Sequence, residues 1–169
     1  MKEYLLISRA VHGSRRALEE LVRMYYEKIY TYVYYRVMDY ALAEDLTQDV
    51  FVKLTKSIHS YRPGAPFSAY LYRIAHNTVV DYYRKVKQEE ELSEQLPAPD
   101  MLSLTEEKLD AQQLLAQLPP EQRECIVLYY LQGLSYREIS QILSVPIPTV
   151  KSRVQRGLAS CRKRMEEKL

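Results

Sequence analysis

The C-terminal stretch "PTVKSRVQRGLASCRKRM" combines hydroxyl, amide and guanidinium side chains at helical spacing. With about 100° of rotation per residue, one apolar seam of this helix contains Val150, Val154, Leu158, Cys161 and Met165. The opposite side carries Thr149, Ser152, Arg153, Arg156 and Lys163, flanked by Lys151, Gln155 and Arg162. Hydroxyls near a helix start and guanidinium groups just after it can bond phosphates and read guanine edges. For such a charge pattern alone, an ordinary solvated face is the usual interpretation; the short helix and the turn that precede it are what favour a DNA-reading face.

A short helix precedes this basic helix. Ser135 and Glu138 in "SYREISQIL" have the spacing of a capping box, which predicts a helix start at this point. "SVPIP" then predicts a tight connection to the last helix. Two helices joined by a short turn, the second of them basic, predict a helix-turn-helix whose second helix enters the major groove.

A second candidate surface lies in "FSAYLYRIAHNTVVDYYRK", which is rich in tyrosine and basic residues. On a helix, one side would bury Phe67, Leu71, Ile74, Thr78 and Tyr82. The opposing side would carry Tyr70, Arg73, Asn77, Asp81 and Arg84. Tyr72, His76 and Tyr83 fall on a third flank, where either burial or stacking is open. The residues alone leave open whether these rings are ordinary core or are exposed for a flat ligand to stack on.

A third surface lies in "AEDLTQDVFVKL", where the helical wheel buries Leu46, Val50 and Leu54. The outward side then carries Asp45, Gln48, Asp49, Val52 and Lys56. A face with acids, an amide and one apolar residue suits a protein partner with basic residues and repels DNA. The residues alone leave this reading and an ordinary solvated face equally open.

Residues for other chemistry are sparse. His12, His59 and His76 are scattered, the two cysteines form no CxxC motif, and no Gly-rich phosphate loop or nucleophile–base pair is present. We therefore expect no enzyme activity, no metal and no cofactor. No apolar stretch approaches the ~20 residues of a membrane span, so we expect no membrane insertion and a cytoplasmic protein.

The elements that must position these surfaces are helical throughout. Period-3.6 patterns predict helices from Ser14 to about Met38, Ala41 to Ser57 and Phe67 to about Lys87, and four more follow in the second half. Between the halves, residues 88–107 carry seven acids, two prolines and no Lys or Arg. The net charge is only +2, but two basic blocks separated by an acidic segment indicate two contacts with one polyanion. The predicted fold is all-α, with two small helical domains joined by a flexible acidic linker.

These motifs resemble a known family. "LPPEQRECIVLYYLQGLSYREISQIL" followed by "VPIPTVKSRVQRGL" is similar to the promoter-reading domain of the sigma-70 family of RNA polymerase sigma factors, in particular the extracytoplasmic-function (ECF) group. The N-terminal half extends the match. The resemblance implies a sigma region 2 domain at 1–87, a linker at 88–104 and a helix-turn-helix region 4 domain at 105–169.

The resemblance assigns a role to each surface. Core RNA polymerase would be bound by Asp45, Gln48, Asp49, Val52, Lys53 and Lys56. The minus-ten element, melted and held as single strand, would be bound by Arg62, Phe67, Tyr70, Arg73, His76, Asn77, Arg84 and Lys85. The minus-thirty-five duplex would be bound by Tyr136, Arg137, Thr149, Lys151, Ser152, Arg153, Gln155, Arg156 and Lys163.

The chain departs from the family pattern at two positions. Ser144 stands where a glycine is usual in the turn, and Pro148 stands where a glycine commonly precedes Thr-Val-Lys-Ser. A proline fits a first helical turn, so we expect the fold to be kept.

Three functions follow as hypotheses. An ECF-type sigma factor would bind core RNA polymerase and promoter DNA, direct initiation with promoter melting, and be controlled by an anti-sigma factor that the family implies and no residue demonstrates. A stand-alone two-domain helix-turn-helix regulator would bind duplex DNA without polymerase. A helical adaptor would contact an acidic protein and show no salt-dependent affinity for DNA.

Overall fold

The computed structural model describes residues 2–92 and 106–168, with side chains described at 2–92 and 111–168. These residues form eight α-helices: α1 (Lys2–Val11), α2 (Arg15–Val37), α3 (Tyr40–Ser57), α4 (Phe67–Glu90), α5 (Glu106–Ala116), α6 (Pro120–Ile126), α7 (Tyr136–Leu143) and α8 (Ile147–Glu167). A 3₁₀ turn (Ile58–Ser60) follows α3, and a π-helical turn (Val127–Leu131) follows α6. No strand occurs in the described ranges, which confirms the all-α prediction.

The first four helices share one core. α2 lies at its centre, with Leu21, Ile29 and Val33 fully buried, and contacts α1, α3 and α4. Ser14 caps α2 through the Ala17 N–H, and Asp39 caps α3 through the Leu42 N–H. The predicted inward residues of α3 and the break at "SYRPGAP" are both confirmed.

The structure differs from the sequence-based expectation in two places, at α1 and at the end of α4. Helix α1 was not predicted; it is held by buried Leu6 and by Glu3, whose carboxylate accepts a hydrogen bond from the Tyr25 hydroxyl. Helix α4 continues to Glu90 rather than ending near Lys87, so the first residues of the predicted linker are helical. The rest of that linker, from residue 93 to 104, lies outside the described residues, and the domain boundaries stay a prediction.

The second group of helices packs around α8, which contacts α6 and α7. Buried Gly157 lies against α6, since an added Cβ there would be 2.5 Å from Ile126 Cδ1. The two groups of helices also pack against each other, because α4 contacts α7 and α2 contacts α6. None of the described helices is both long enough and apolar enough to cross a membrane.

Candidate nucleic-acid interface

The predicted capping box starts α7. The Ser135 Oγ accepts from the Glu138 N–H at 3.2 Å, and the Glu138 carboxylate accepts from the Ser135 N–H at 2.8 Å. α7 ends at Ser144, which adopts the left-handed conformation (φ 54°, ψ 43°) and donates its N–H to the Ser140 carbonyl. Serine therefore makes the same turn for which glycine is usual, and the turn aims α8.

Helix α8 starts at Ile147 and accommodates Pro148 in its first turn, where a missing N–H breaks no helical bond. The predicted seam is buried at Val150 and Val154 and half-buried at Leu158 and Cys161. Met165, the last predicted seam residue, is 56% exposed because the seam has left its packing partners by then. The prediction was wrong for Met165.

The outer face of α8 is largely open to solvent. Lys151, Gln155, Arg156, Arg162 and Lys163 are exposed. Thr149 and Ser152 are half-buried and line a groove of about 500 Å³ together with residues of α6. Arg153 also lines this groove, but it pairs with Glu121 at 3.1 Å. A phosphate approaching Arg153 has to compete with that carboxylate.

Tyr136 and Arg137 flank this face at the start of α7. Tyr136 stacks on Tyr129 with ring centroids 4.6 Å apart, whereas Arg137 is exposed. The exposed and half-buried side chains of α8 together carry hydroxyl, amide and guanidinium groups. Such groups can contact both phosphates and base edges.

The outer face of α3 is also open, and it carries the expected charge. Asp45, Gln48, Asp49, Val52 and Lys56 are all exposed. Lys53 is exposed too, but its ammonium lies 3.1 Å from Thr78 Oγ1 and 3.8 Å from an Asp81 oxygen. Lys53 is thus turned toward α4, away from the other five residues.

The loop before α4 is fixed by tyrosines. The Tyr61 hydroxyl donates to the Ala65 carbonyl at 2.8 Å, and the Tyr70 hydroxyl lies 2.7 Å from Ser57 Oγ. Phe67 is only 4% exposed, packed edge-to-face against Tyr25 and Tyr61. Its burial removes Phe67 from the candidate strand-contacting set, because a buried ring cannot stack on a base.

The other predicted α4 residues fall into two groups. Asn77, Arg84 and Lys85 are exposed, as is Arg62 in the loop before α4. Arg73 and His76 lie near the second group of helices: Arg73 is exposed, with its Nη1 3.5 Å from the Gln141 carbonyl, whereas His76 is half-buried, with its Nδ1 2.7 Å from Glu124 Oε1. For Tyr72 the sequence left burial and stacking both open. The structure shows it buried, with its hydroxyl donating to Gln132 Oε1 at 2.5 Å.

Glu124 is the centre of the contact between the two groups of helices. It is 5% exposed on α6, and its carboxylate accepts hydrogen bonds from the Tyr32 hydroxyl at 2.5 Å, from His76 and from Arg36. Burial alone would raise the pKa of Glu124, but the His76 hydrogen bond and the nearby Arg36 charge outweigh it and hold that pKa below its usual range. Burial raises the pKa of Tyr32 well above its usual value, so its hydroxyl stays a donor.

Sequence reasoning missed Tyr32, Arg36 and Glu124. A signal was present for Glu124, since Leu128 lies one helical turn later on the same buried side. The described residues contain no group of three metal-ligating side chains. Burial raises the pKa of the Cys125 thiol to about 11, so it is protonated and a poor nucleophile near neutral pH.

Comparison with known proteins supports this organisation. The family model "Sigma-70 region 2" matches residues 21–89, and "Sigma-70, region 4" matches residues 108–161. The ECF RNA polymerase sigma factor SigW of Bacillus subtilis is 32% identical, with 95% of each chain covered. The chain belongs to the ECF group of the sigma-70 family. This family consists of transcription initiation factors.

Further relatives agree. RNA polymerase sigma factor SigZ of Bacillus subtilis is 32% identical, with 88% of this chain and 87% of SigZ covered. Among solved structures, RpoE in complex with the anti-sigma factor NepR from Bartonella quintana has a TM-score of 0.80 at 24% identity, covering 88% of this chain and 96% of that one. CnrH in complex with the cytosolic domain of CnrY has a TM-score of 0.77 at 23% identity, covering 99% of each chain. These two structures share the fold.

Proposed function

We propose that this sigma factor binds core RNA polymerase, recognises the minus-thirty-five element as duplex and holds the minus-ten element as melted single strand. The observation that carries the proposal is the exposed face of α8, set on a capped α7 and a tight turn, in a chain that matches both sigma-70 regions. Binding energy for the separated strand would supply promoter melting, and the polymerase would perform the chemistry. The chain itself would catalyse no reaction and would act in the cytoplasm.

Each face has a proposed partner. The duplex would meet Arg156, Lys151 and Gln155 on α8, which are exposed, and Arg153 after displacement of Glu121. The separated strand would meet the proposed α4 surface, defined as Arg62, Tyr70, Arg73, His76, Asn77, Arg84 and Lys85. Core polymerase would meet the exposed acidic face of α3.

An anti-sigma factor is a further proposed partner. RpoE of Bartonella quintana has been solved with the anti-sigma factor NepR, and ECF sigma factors as a group resemble this chain over most of its length. An anti-sigma factor for this chain would mask one or more of the three faces.

The test is run-off transcription with purified core polymerase on a genomic promoter library, with and without this protein. We expect transcripts from a defined subset of promoters only when the protein is present. Absence of promoter-specific transcripts, together with absence of core binding, would sink the proposal.

Charge reversal on α3 tests the polymerase contact. Asp49→Arg places a cation where a basic partner surface is expected, so we expect core affinity to fall by roughly tenfold or more, since like charges across an interface cost several kcal/mol. Core binding is measured by fluorescence anisotropy of labelled protein, and duplex binding serves as the internal control. Unchanged core affinity in Asp49→Arg would remove α3 from the polymerase interface.

A further inference from the structure

The contact at Glu124 joins α6, which packs against the proposed duplex-reading helix α8, to α2 and to α4, the helix that carries the proposed single-strand surface. Glu124 lies on α6, whereas its three hydrogen-bond donors, Tyr32, Arg36 and His76, lie on α2 and α4. The carboxylate is 5% exposed, and the Arg36 side chain is 13% exposed. A carboxylate from the second half of the chain therefore binds a group of three side-chain donors from the first half.

The three donors form a site for an oxyanion in general. Arg36 supplies a permanent positive charge, and the Tyr32 hydroxyl is a neutral donor. His76 Nδ1 faces an ionised carboxylate, and because a carboxylate can only accept a hydrogen bond, this nitrogen is the donor. Phosphate oxygens accept the same charge-assisted hydrogen bonds as carboxylate oxygens. Removal of Glu124 would leave Arg36 and His76 without their acidic partner, so the donors favour any anion that replaces it.

The site adjoins the proposed single-strand surface. His76 belongs to both, Asn77 is the next residue along α4 and is exposed, and Arg73 lies one helical turn before His76. A strand whose bases meet Asn77 would bring a backbone phosphate to the Tyr32–Arg36–His76 site. The second half covers this end of α4, because Tyr72 bonds Gln132 and Arg73 contacts the Gln141 carbonyl.

We propose that Tyr32, Arg36 and His76 form a phosphate-binding site for the minus-ten single strand, and that Glu124 occupies this site in the closed chain. The strand and Glu124 then compete for the same donors, so the free protein binds single-stranded DNA weakly until its two halves separate. The identity of the strand rests on the proposed function, whereas the anion site rests on the contacts alone.

Two substitutions break the same ion pair with opposite expected results. Glu124→Gln removes the internal anion and leaves the donors in place, so single-strand affinity should rise by about fivefold or more, in the range of typical coupling between sites. Arg36→Gln also opens the chain but removes a phosphate donor, so affinity should stay equal to wild type or fall. A role of Arg36 in closure alone would instead raise affinity in both variants.

The experiment uses the full chain and a fluorescein-labelled single-stranded oligodeoxynucleotide of mixed sequence, read by fluorescence anisotropy. Small-angle X-ray scattering reports the radius of gyration of each variant, which should increase in both Glu124→Gln and Arg36→Gln. Matched charge controls are Glu166→Gln on α8 and Arg16→Gln on α2, since both side chains are exposed. Far-UV circular dichroism verifies that helix content is kept.

Gln132→Ala provides a second route to the open chain. It removes the acceptor of Tyr72 outside the anion site, and we expect a smaller gain of single-strand affinity in the same direction as Glu124→Gln. If Glu124→Gln loses helix content, the single-strand affinity of Gln132→Ala is the measurement that tests whether opening the chain exposes the site.

The site is overturned if Glu124→Gln gains no more affinity than Glu166→Gln, if Arg36→Gln gains as much as Glu124→Gln, or if the radius of gyration does not change. Its failure is separable from that of the proposed function. Promoter-specific run-off transcription without these affinity changes would overturn the phosphate site alone. Affinity changes without run-off transcription would support the site and sink the sigma function.

Discussion

Helices α4 and α8 carry the two proposed DNA-contacting faces, and they present their polar side chains differently. On α8, Lys151, Gln155 and Arg156 are exposed, and the competing acid Glu121 is itself at the surface. On α4, His76 is hydrogen-bonded to Glu124 of the second group of helices and Arg73 lies 3.5 Å from the Gln141 carbonyl, whereas Asn77, Arg84 and Lys85 are exposed. The outer face of α8 is thus accessible to a ligand, whereas part of the α4 face is in contact with the second group of helices.

The difference shows how similar side chains gain different functions from their surroundings. A surface ion pair such as that between Arg153 and Glu121 contributes about 0–1 kcal/mol and exchanges readily for another partner. A buried carboxylate with three donors is harder to replace, because removal of one partner leaves a charge without compensation. Access to α4 is therefore linked to the conformation of the chain, and access to α8 is not.

The largest expected effect on stability concerns α7, the helix that packs against both α4 and α8. Ile139 on α7 is fully buried, and α7 contacts both α4 and α8. Ile139→Ala should lower the free energy of unfolding by about 2–5 kcal/mol, since it leaves a cavity in a packed core. Urea denaturation measures the loss.

Arg137→Ala is the control on the same helix, because Arg137 is exposed and surface changes usually stay within about 0.5 kcal/mol. A loss in Ile139→Ala no greater than in this control would mean that α7 is not the common support.

The open face of α8 is tested by Arg156→Ala. If Arg156 reads a base, the variant should bind the upstream duplex more weakly by about 1–3 kcal/mol. Electrophoretic mobility shifts on the promoter duplex and on a scrambled duplex measure this loss. Arg84→Ala on α4 is the control and should leave duplex binding unchanged. An equal loss on both duplexes would make Arg156 a phosphate contact.

The free part of the α4 face is tested by Asn77→Ala. Asn77 offers both a donor and an acceptor to a base edge, and one such hydrogen bond contributes about 1 kcal/mol, or roughly fivefold. We expect promoter opening, followed by permanganate reactivity of unpaired thymines, to fall by that factor, with core binding kept. Unaltered opening would exclude Asn77 from strand capture.

The smallest expected effect concerns the turn that aims α8. Ser144 has φ 54°, a conformation that costs residues with a side chain about 1–2 kcal/mol relative to a right-handed one. Ser144→Gly removes this cost but makes the unfolded chain more flexible, so we expect a net gain of about 0.5 kcal/mol in unfolding free energy. Thermal unfolding measures the change.

Ser160→Gly is the matched control for this prediction. Ser160 lies within α8, where glycine should destabilise the helix by several tenths of a kcal/mol, up to about 1. Effects of the same sign in both variants would contradict the conformational argument.

Local patterns predicted most of this molecule. Helices α2, α3 and α4 followed from apolar spacing, and the capping box at Ser135 and the proline break before Phe67 marked boundaries correctly. These features depend on a few neighbouring residues. Helix α1 was missed although Leu6 and Ala10, with the partly buried Ile7 and Val11, lie at helical spacing, because its ten residues give that pattern less than three turns to repeat. The π-helical turn after α6 was missed because one extra residue per turn has no signature in composition.

The contact between the two halves could not be predicted in the same way. Glu124 and Tyr32 are 92 positions apart, and no local rule pairs two residues at that distance. His76 was expected near DNA, and the structure adds a protein partner for it. Phe67 was assigned to the strand by resemblance, although its position on the inward side of α4 already indicated the core.

The seven-residue helix α6 makes two different contacts on its opposite sides. Ile126 faces Gly157 of α8 at a distance that leaves no room for a methyl group without movement, and Glu124 faces α2 and α4. A substitution that shifts α6 would disturb the packing of α8 and the contact between the two groups of helices together. A side chain that fits α8 better must therefore also keep the carboxylate of Glu124 in place toward α2 and α4, so the two groups of helices are coupled through one short helix.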